Sequence, residues 1–295
     1  MAIPNIDVAQ ITQFSDELHL KSQQIKARLR PYARIKPMIG DLFAYDGLGD
    51  VEAQEVAGRV QPTVFQDIDH LRRKIKRRRF VVTLPIDDMD AKGVLINPDS
   101  EYATACVRAM ERVFDRVGVD ALFASVETGR DFGTTVTYAS DNGFTVNATA
   151  GLTYEKLLEI SQNWIDVDVG NDIPETKVLG ISGDEHTALM KESELISGDF
   201  SRQFVVDKGE ITMAAGLILL KFAGNARVPI LSVTSGTRDC FAITSRTLCY
   251  GLSKSVQVTL KDRSDLVDVK QVQIVGILGA VRTEGVLAQK VQTTD

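Results

Sequence analysis

Few residues in this chain are placed to do chemistry. The three histidines, His19, His70 and His186, fall in separate segments, with no H-E-x-x-H and no Cys/His pairing that would close a zinc site. Gly180-Ile181-Ser182-Gly183 follows a strand-like run and precedes a helical one, superficially like a nucleophile elbow or a phosphate loop. It lacks the G-x-S-x-G spacing, and Asp184 and Glu185 would repel an anion at that helix start. Asp88-x-Asp90-x-Lys92-Gly93 followed by Asp99 imitates a calcium loop. There Lys92 occupies a position that needs an oxygen donor, the last ligand is Asp and not Glu, and a strand-like segment with Pro85 precedes it instead of a helix. No P-loop and no dinucleotide fingerprint is present. We assign no catalytic, cofactor-binding or metal residue, and the expectation is a protein that is not an enzyme.

One feature does carry a strong charge signal. Arg72, Arg73, Lys74, Lys76, Arg77, Arg78 and Arg79 lie between Leu71 and Phe80 with no acid among them. The chain has 34 basic and 40 acidic residues, so without these seven it holds 27 against 40, a remainder of −13. Two chemistries suit the run. Arginines and lysines neutralise nucleic-acid phosphates, but Phe80 is the only aromatic neighbour, so no stacking platform for single strands exists. Alternatively the run meets carboxylates on an adjacent subunit, where bidentate Arg–carboxylate contacts are favourable. The second reading makes all seven residues inter-subunit contacts.

The elements around these residues can be read from periodicity. Ile11, Phe14, Leu18, Ile25 and Leu29 form one stripe of a surface helix over about 9–30, ended by Pro31. Residues 32–50, with Pro37, Gly40, Gly47 and Gly49, should be mostly irregular. Val60 to Phe65 and Phe80 to Leu84 are strand-like arms around the charged middle, which suggests a long hairpin over about 52–90. So few apolar residues cannot build a core, so the hairpin must pack on something else.

Asn97 as N-cap, Pro98 at the first position and the acids Asp99 and Glu101 open the longest helix. Its apolar face is Tyr102, Cys106, Met110, Val113, Phe114 and Val117, running to Val119 or beyond. Gly133 to Tyr138 is strand-like, Thr153 caps a helix through Leu157, Leu158, Trp164 and Ile165, and Lys177 to Ile181 is strand-like. Ser182-Gly183-Asp184-Glu185 is a capping box. From Arg238 onward the chain is mainly β, at 240–243, 256–260, 272–278 and 286–291.

Composition sets the outer limits. With 295 residues, 44 % hydrophobic and 25 % charged, the chain is globular and large enough for a substantial core. No apolar stretch approaches a membrane span and the N-terminus has no signal-peptide pattern. Cys106, Cys240 and Cys249 are an odd number with no C-x-x-C, which fits reduced thiols. Secretion, membrane insertion and a disulfide framework are thereby disfavoured.

Several stretches, in order, resemble a large family of tailed-phage major capsid proteins. Phe14 to His19 with Gln23-Gln24 and Arg28-Leu29-Arg30 resembles its N-terminal helix. Arg59 with Pro62-Thr63 and Asp69-His70-Leu71-Arg72-Arg73 is similar to its extended-loop segment. Ile86 to Asp90, then Asn97 to Ala103 and Met110 to Asp115, resemble its junction and spine helix, and Gly276 to Arg282 its closing G-A-x-R strand. Asn97 stands where Asp is expected, the run Lys76 to Arg79 is more basic than expected, and 126–235 matches only loosely.

The resemblance implies an α+β Hong Kong 97-like capsid fold. It implies an N-terminal arm at 1–50, an extended-loop hairpin at 51–96 and the peripheral-domain spine helix at 97–125. An axial α/β domain at about 126–237 and C-terminal strands at 238–295 complete it. It further implies a structural subunit that self-assembles as hexamers and pentamers into an icosahedral head around double-stranded DNA. The location would be the virion, after assembly in the bacterial host cytoplasm. Because the chain begins directly at the arm helix, a separate scaffolding protein is an expected partner, alongside a portal. No cofactor and no membrane contact are implied. An encapsulin-like compartment shell and a nucleic-acid-binding protein using Arg72–Arg79 are the alternatives.

Overall fold

In a computed structural model of the chain, the described residues are 23–49, 51–53, 55, 65–86, 99–170, 174–192, 210–224, 228–263 and 269–294. Their strands are β1 (Arg34–Pro37), β2 (Leu42–Leu48), β3 (His70–Lys76), β4 (Arg78–Ile86), β5 (Val126–Thr128), β6 (Thr134–Val136) and β7 (Phe144–Ala148). They continue with β8 (Lys177–Ile181), β9 (Met213–Ala214), β10 (Leu217–Lys221), β11 (Val233–Thr234), β12 (Thr237–Thr244), β13 (Leu248–Arg263), β14 (Val269–Arg282) and β15 (Ala288–Thr294). The helices among them are α1 (Asp99–Phe123), α2 (Tyr154–Asp166) and α3 (Gly183–Lys191).

The chain divides into two compact units, one of residues 1–26, 80–111 and 256–276 and one of residues 27–79, 112–255 and 277–295. In the first, Cys106 and Met110 of α1 are buried, and Gly276 lies close to the Met110 sulfur. The second unit holds most of the core and is built on a sheet in the order β7-β15-β12-β8-β10-β9, with β11 on β12.

That sheet follows from its sequences. Val178 to Ile181 of β8 are all buried, and β8 runs parallel to β10 and antiparallel to β12. A strand covered on both faces reads as an unbroken apolar run. Gly180 stands opposite Phe241, where a Cβ would overlap the Phe241 ring, so the pair functions as one packing unit. Helix α2 buries Leu157, Ile160 and Trp164, spaced three and four apart. It is fixed to β15 by Gln289, which donates to the Ile160 carbonyl at 2.8 Å and accepts from Asn163 at 3.0 Å. The capping box at Ser182 forms as its sequence implies, with Ser182 and Glu185 reciprocally bonded. Thr153 is the N-cap residue of α2 but makes no side-chain cap bond.

The long helix α1 is also as expected, and at 25 residues it spans about 37 Å. Asn97 and Pro98 lie outside the described residues. In the second unit Phe114 and Val117 face inward, and Tyr250 stacks on Phe114 while donating to its carbonyl at 3.2 Å. Gly118 makes room for this contact, since a Cβ there would collide with the Tyr250 hydroxyl.

Three expectations are corrected. Residues 23–29 are not helical, and Arg30–Tyr32 is a single 3-10 turn; the rest of the expected helix, up to residue 22, lies outside the described residues. The reason is a contact distant in sequence. The amides of Arg28 and Leu29, which a helix would bond to its own carbonyls, donate instead to the buried Asp115 carboxylate at 2.9 and 3.0 Å. Residues 32–50 are not mostly irregular, because they contain β1 and β2. Finally, the antiparallel ribbon pairs β2 with β3, from Leu42↔Lys76 to Leu48↔His70. The charged run is therefore not the middle of a hairpin with arms at 60–65 and 80–84. It lies within β3 and the start of β4, while Val60 to Val64 fall outside the described residues.

Candidate assembly surface

The β2–β3 ribbon belongs to a sheet in the order β2-β3-β5-β6. Its inner face carries Phe43, Tyr45 and Ile75, packed with Met38, Val126, Cys249 and Val281. Because side chains alternate along a strand, the basic run is split in two. Arg73 shares the inner face with Ile75, whereas Arg72, Lys74 and Lys76 share the outer one. The signal was present in the sequence, since Leu71, Arg73 and Ile75 alternate with the remaining cations.

Arg73 is 2 % exposed and Arg282 is fully buried. Both guanidiniums converge on one carboxylate, Asp141, Arg73 at 2.6 and 2.8 Å and Arg282 Nε at 2.9 Å. Arg282 also donates to the Leu122 and Ala124 carbonyls at the end of α1, and Arg73 to the Arg282 carbonyl. The base of the ribbon, the end of α1 and the end of β14 are thus tied to one acid. Arg73 is consumed inside its own chain.

On the outer face each cation finds an intrachain acid as well. Arg72 pairs with Asp46 at 2.7 Å, and that bond, with help from His70 and Lys36, holds the Asp46 carboxyl below its ordinary value. Lys74 and Lys76 both bond Glu127 at 2.5 Å, which lowers its carboxyl likewise. Arg77 pairs with Asp41. Arg78 is exposed and acts on Asp120 through its charge; burial raises the Asp120 carboxyl against the pull of Arg78 and Arg116. Arg79 is exposed and has no ion pair among the described residues. Lys74, Lys76, Arg78, Asp120 and Ser125 line a cleft of about 200 Å³. Of the seven expected contact residues, Lys76, Arg78 and Arg79 are the ones that reach outward most freely.

Ser182 and His186, singled out in the sequence, have local partners among the described residues. No group of three His, Cys, Asp or Glu side chains could hold a metal there. His186 accepts the Ile211 amide at 3.3 Å, and the Ser182 hydroxyl is bonded to Glu185 in the helix cap. Among the described residues no helix is long and apolar enough to cross a membrane. The Asp88–Lys92 part of the calcium-like stretch lies outside the described residues.

The fold of the chain is similar to those of solved phage capsids. The capsid structure of cyanophage P-SCSP1u superposes with a TM-score of 0.74 at 13 % identity, covering 100 % of this chain and 96 % of that one. The Mycobacterium phage Che8 structure gives 0.73 at 14 %, covering 98 % of each chain. The cyanophage Pam1 capsid gives 0.73 at 14 %, covering 99 % of each. These likenesses establish an α+β Hong Kong 97-like capsid fold. A comparison with curated protein sequences finds no match. The family model for phage capsid protein matches residues 6–292, and the chain belongs to that family: it is a structural subunit of a phage head. The compartment-shell and nucleic-acid-binding alternatives are not favoured by these matches.

Proposed function

We propose that this chain is the major capsid protein of a tailed phage, forming hexamers and pentamers of an icosahedral shell that encloses double-stranded DNA without reading its sequence. It assembles in the host cytoplasm with a separate scaffolding protein and a portal, and performs no catalysis. The β2–β3 ribbon with its connection is the extended loop, α1 the spine of the peripheral domain, and the seven-stranded sheet with α2 and α3 the axial domain. The outward cations of the Arg72–Arg79 run contact acids of an adjacent subunit.

The family match along residues 6–292 is the observation that carries this reading. It agrees with the exposure of Leu48, Val51 and Phe65 among the described residues at the far end of the ribbon, apolar side chains that are costly to leave in water. Particles purified from producing cells and treated with nuclease test it. Protected double-stranded DNA of uniform length is expected, whereas shells filled with a protein cargo and free of DNA would replace the head by a compartment.

A further inference from the structure

The main sheet of the second unit ends on β9, a strand with a slender hold. Its two residues, Met213 and Ala214, pair with Ile218 and Leu217 of β10. The turn between the strands has Ala215 at φ 49° and Gly216 at φ 77°, a left-handed pair that suits Asn-Gly and strains an alanine. Just before β9, Ile211 is buried, and its amide donates to Nε2 of His186 on α3 at 3.3 Å. A ring nitrogen that accepts carries no proton, so this contact requires the neutral imidazole with its hydrogen on Nδ1.

The charged groups around the ring favour that form. Burial and the Lys221 ammonium of β10 hold His186 below its ordinary value, against the pull of Glu210. Glu210 is itself bonded to Lys221 at 2.6 Å, so its pull is shared. On α3, Glu185 is turned inward to Ser182 and Thr293, and Asp184 lies 3.6 Å from Arg238.

We propose that His186 is an acid-sensitive latch on the edge of the main sheet. Neutral, it pins residues 210–214 against α3. Protonated, it turns a second N–H toward the Ile211 amide, releases the segment and uncovers the edge of β10. The fold prefers the neutral ring, so the latch is whole above the unfolded value of about 6.5 and is lost as the pH falls through the lower folded value. The strand edge then bared is a surface that pairs with other strands. This goes beyond the capsid reading and requires only the fold of the second unit.

Hydrogen exchange of the full-length chain at about pH 8 and about pH 5, corrected for the intrinsic rates, tests it. The Lys221 bond holds the Glu210 carboxyl below its ordinary value, so it stays charged at the lower pH and the change is the imidazole's. Protection of residues 210–219 should fall roughly tenfold at the lower pH, the scale of a lost hydrogen bond that leaves a buried donor unpaired. Helix α2 should keep its protection. His186→Gln offers an uncharged acceptor and should hold the segment equally at both pH values, whereas His186→Lys should leave it loose at both. Equal loosening of α2, an unchanged segment in the wild type, a Gln variant that follows the wild type or a Lys variant that stays protected would overturn the latch.

Discussion

Replacing Asp141 by Asn probes the packing of the second unit most sharply. The change keeps the shape of the side chain and removes its charge. Asp141 is bonded to two guanidiniums, Arg73 at 2 % and Arg282 at 0 % exposure, and its own side chain is 12 % exposed. Bulk water therefore screens the cluster little. Removing one partner of a buried ion pair costs about 3–5 kcal/mol, because the charge left behind stays desolvated. Here two cations are left against each other, so the upper half of that range is expected. A domain is stable by only about 5–15 kcal/mol, so the loss is a large fraction. Urea unfolding of the unassembled full-length chain reads it as a lower midpoint at unchanged slope. A companion Arg73→Met/Asp141→Asn variant should lose less than the two single losses added together, because it takes out one cation with the acid. An Asp141→Asn chain within about 1 kcal/mol of wild type would refute the reasoning, since the neutral partner would then serve as well as the charged one.

Other perturbations give distinct readouts. Trp164→Ala empties a fully buried site against the main sheet and should cost about 3–5 kcal/mol in the same unfolding assay. Gly180→Ala places a methyl against the Phe241 ring and should cost about 1–3 kcal/mol, with Gly180→Ala/Phe241→Leu recovering part of it. Burial pushes the Glu185 carboxyl up, but hydrogen bonds from Ser182, Thr293 and backbone amides outweigh it, so the folded group titrates below its ordinary value. Its stabilisation is therefore complete above about pH 4.3 and lost as the pH falls through the lower folded value. Glu185→Gln should flatten stability against pH in that acid window, and an unchanged slope would count against it. Cys106, Cys240 and Cys249 are all buried, and burial pushes the Cys240 thiol up to about 12. None should react with a thiol reagent at neutral pH in the folded chain, and all three should react in urea.

What the sequence displays and what it conceals divide along one physical line. Helices α1, α2 and α3 were legible because their signals are local: three- and four-residue apolar spacing, an acidic first turn and a capping box. Strands β1 and β2 were missed because Pro37, Gly40 and Gly47 punctuate them and their pairing partners lie far along the chain. The apparent helix through Leu29 failed for a similar reason, since Asp115, 86 residues on, takes its amide. The basic run was conspicuous as a charge signal, but its partners were not. Arg73 and Asp141 are 68 residues apart and Arg282 and Asp141 are 141 apart, so only the fold brings them together. The alternation of Leu71, Arg73 and Ile75 was the available hint that one arginine turns inward.

Electron microscopy of the sedimentable fraction, after expression of the chain alone and with a scaffolding partner, decides whether this subunit builds a shell. Closed particles hundreds of ångströms across, with capsomers of five and six copies, are the expected result. A chain that stays monomeric under both conditions, with the tip of its ribbon still exposed, would contradict it.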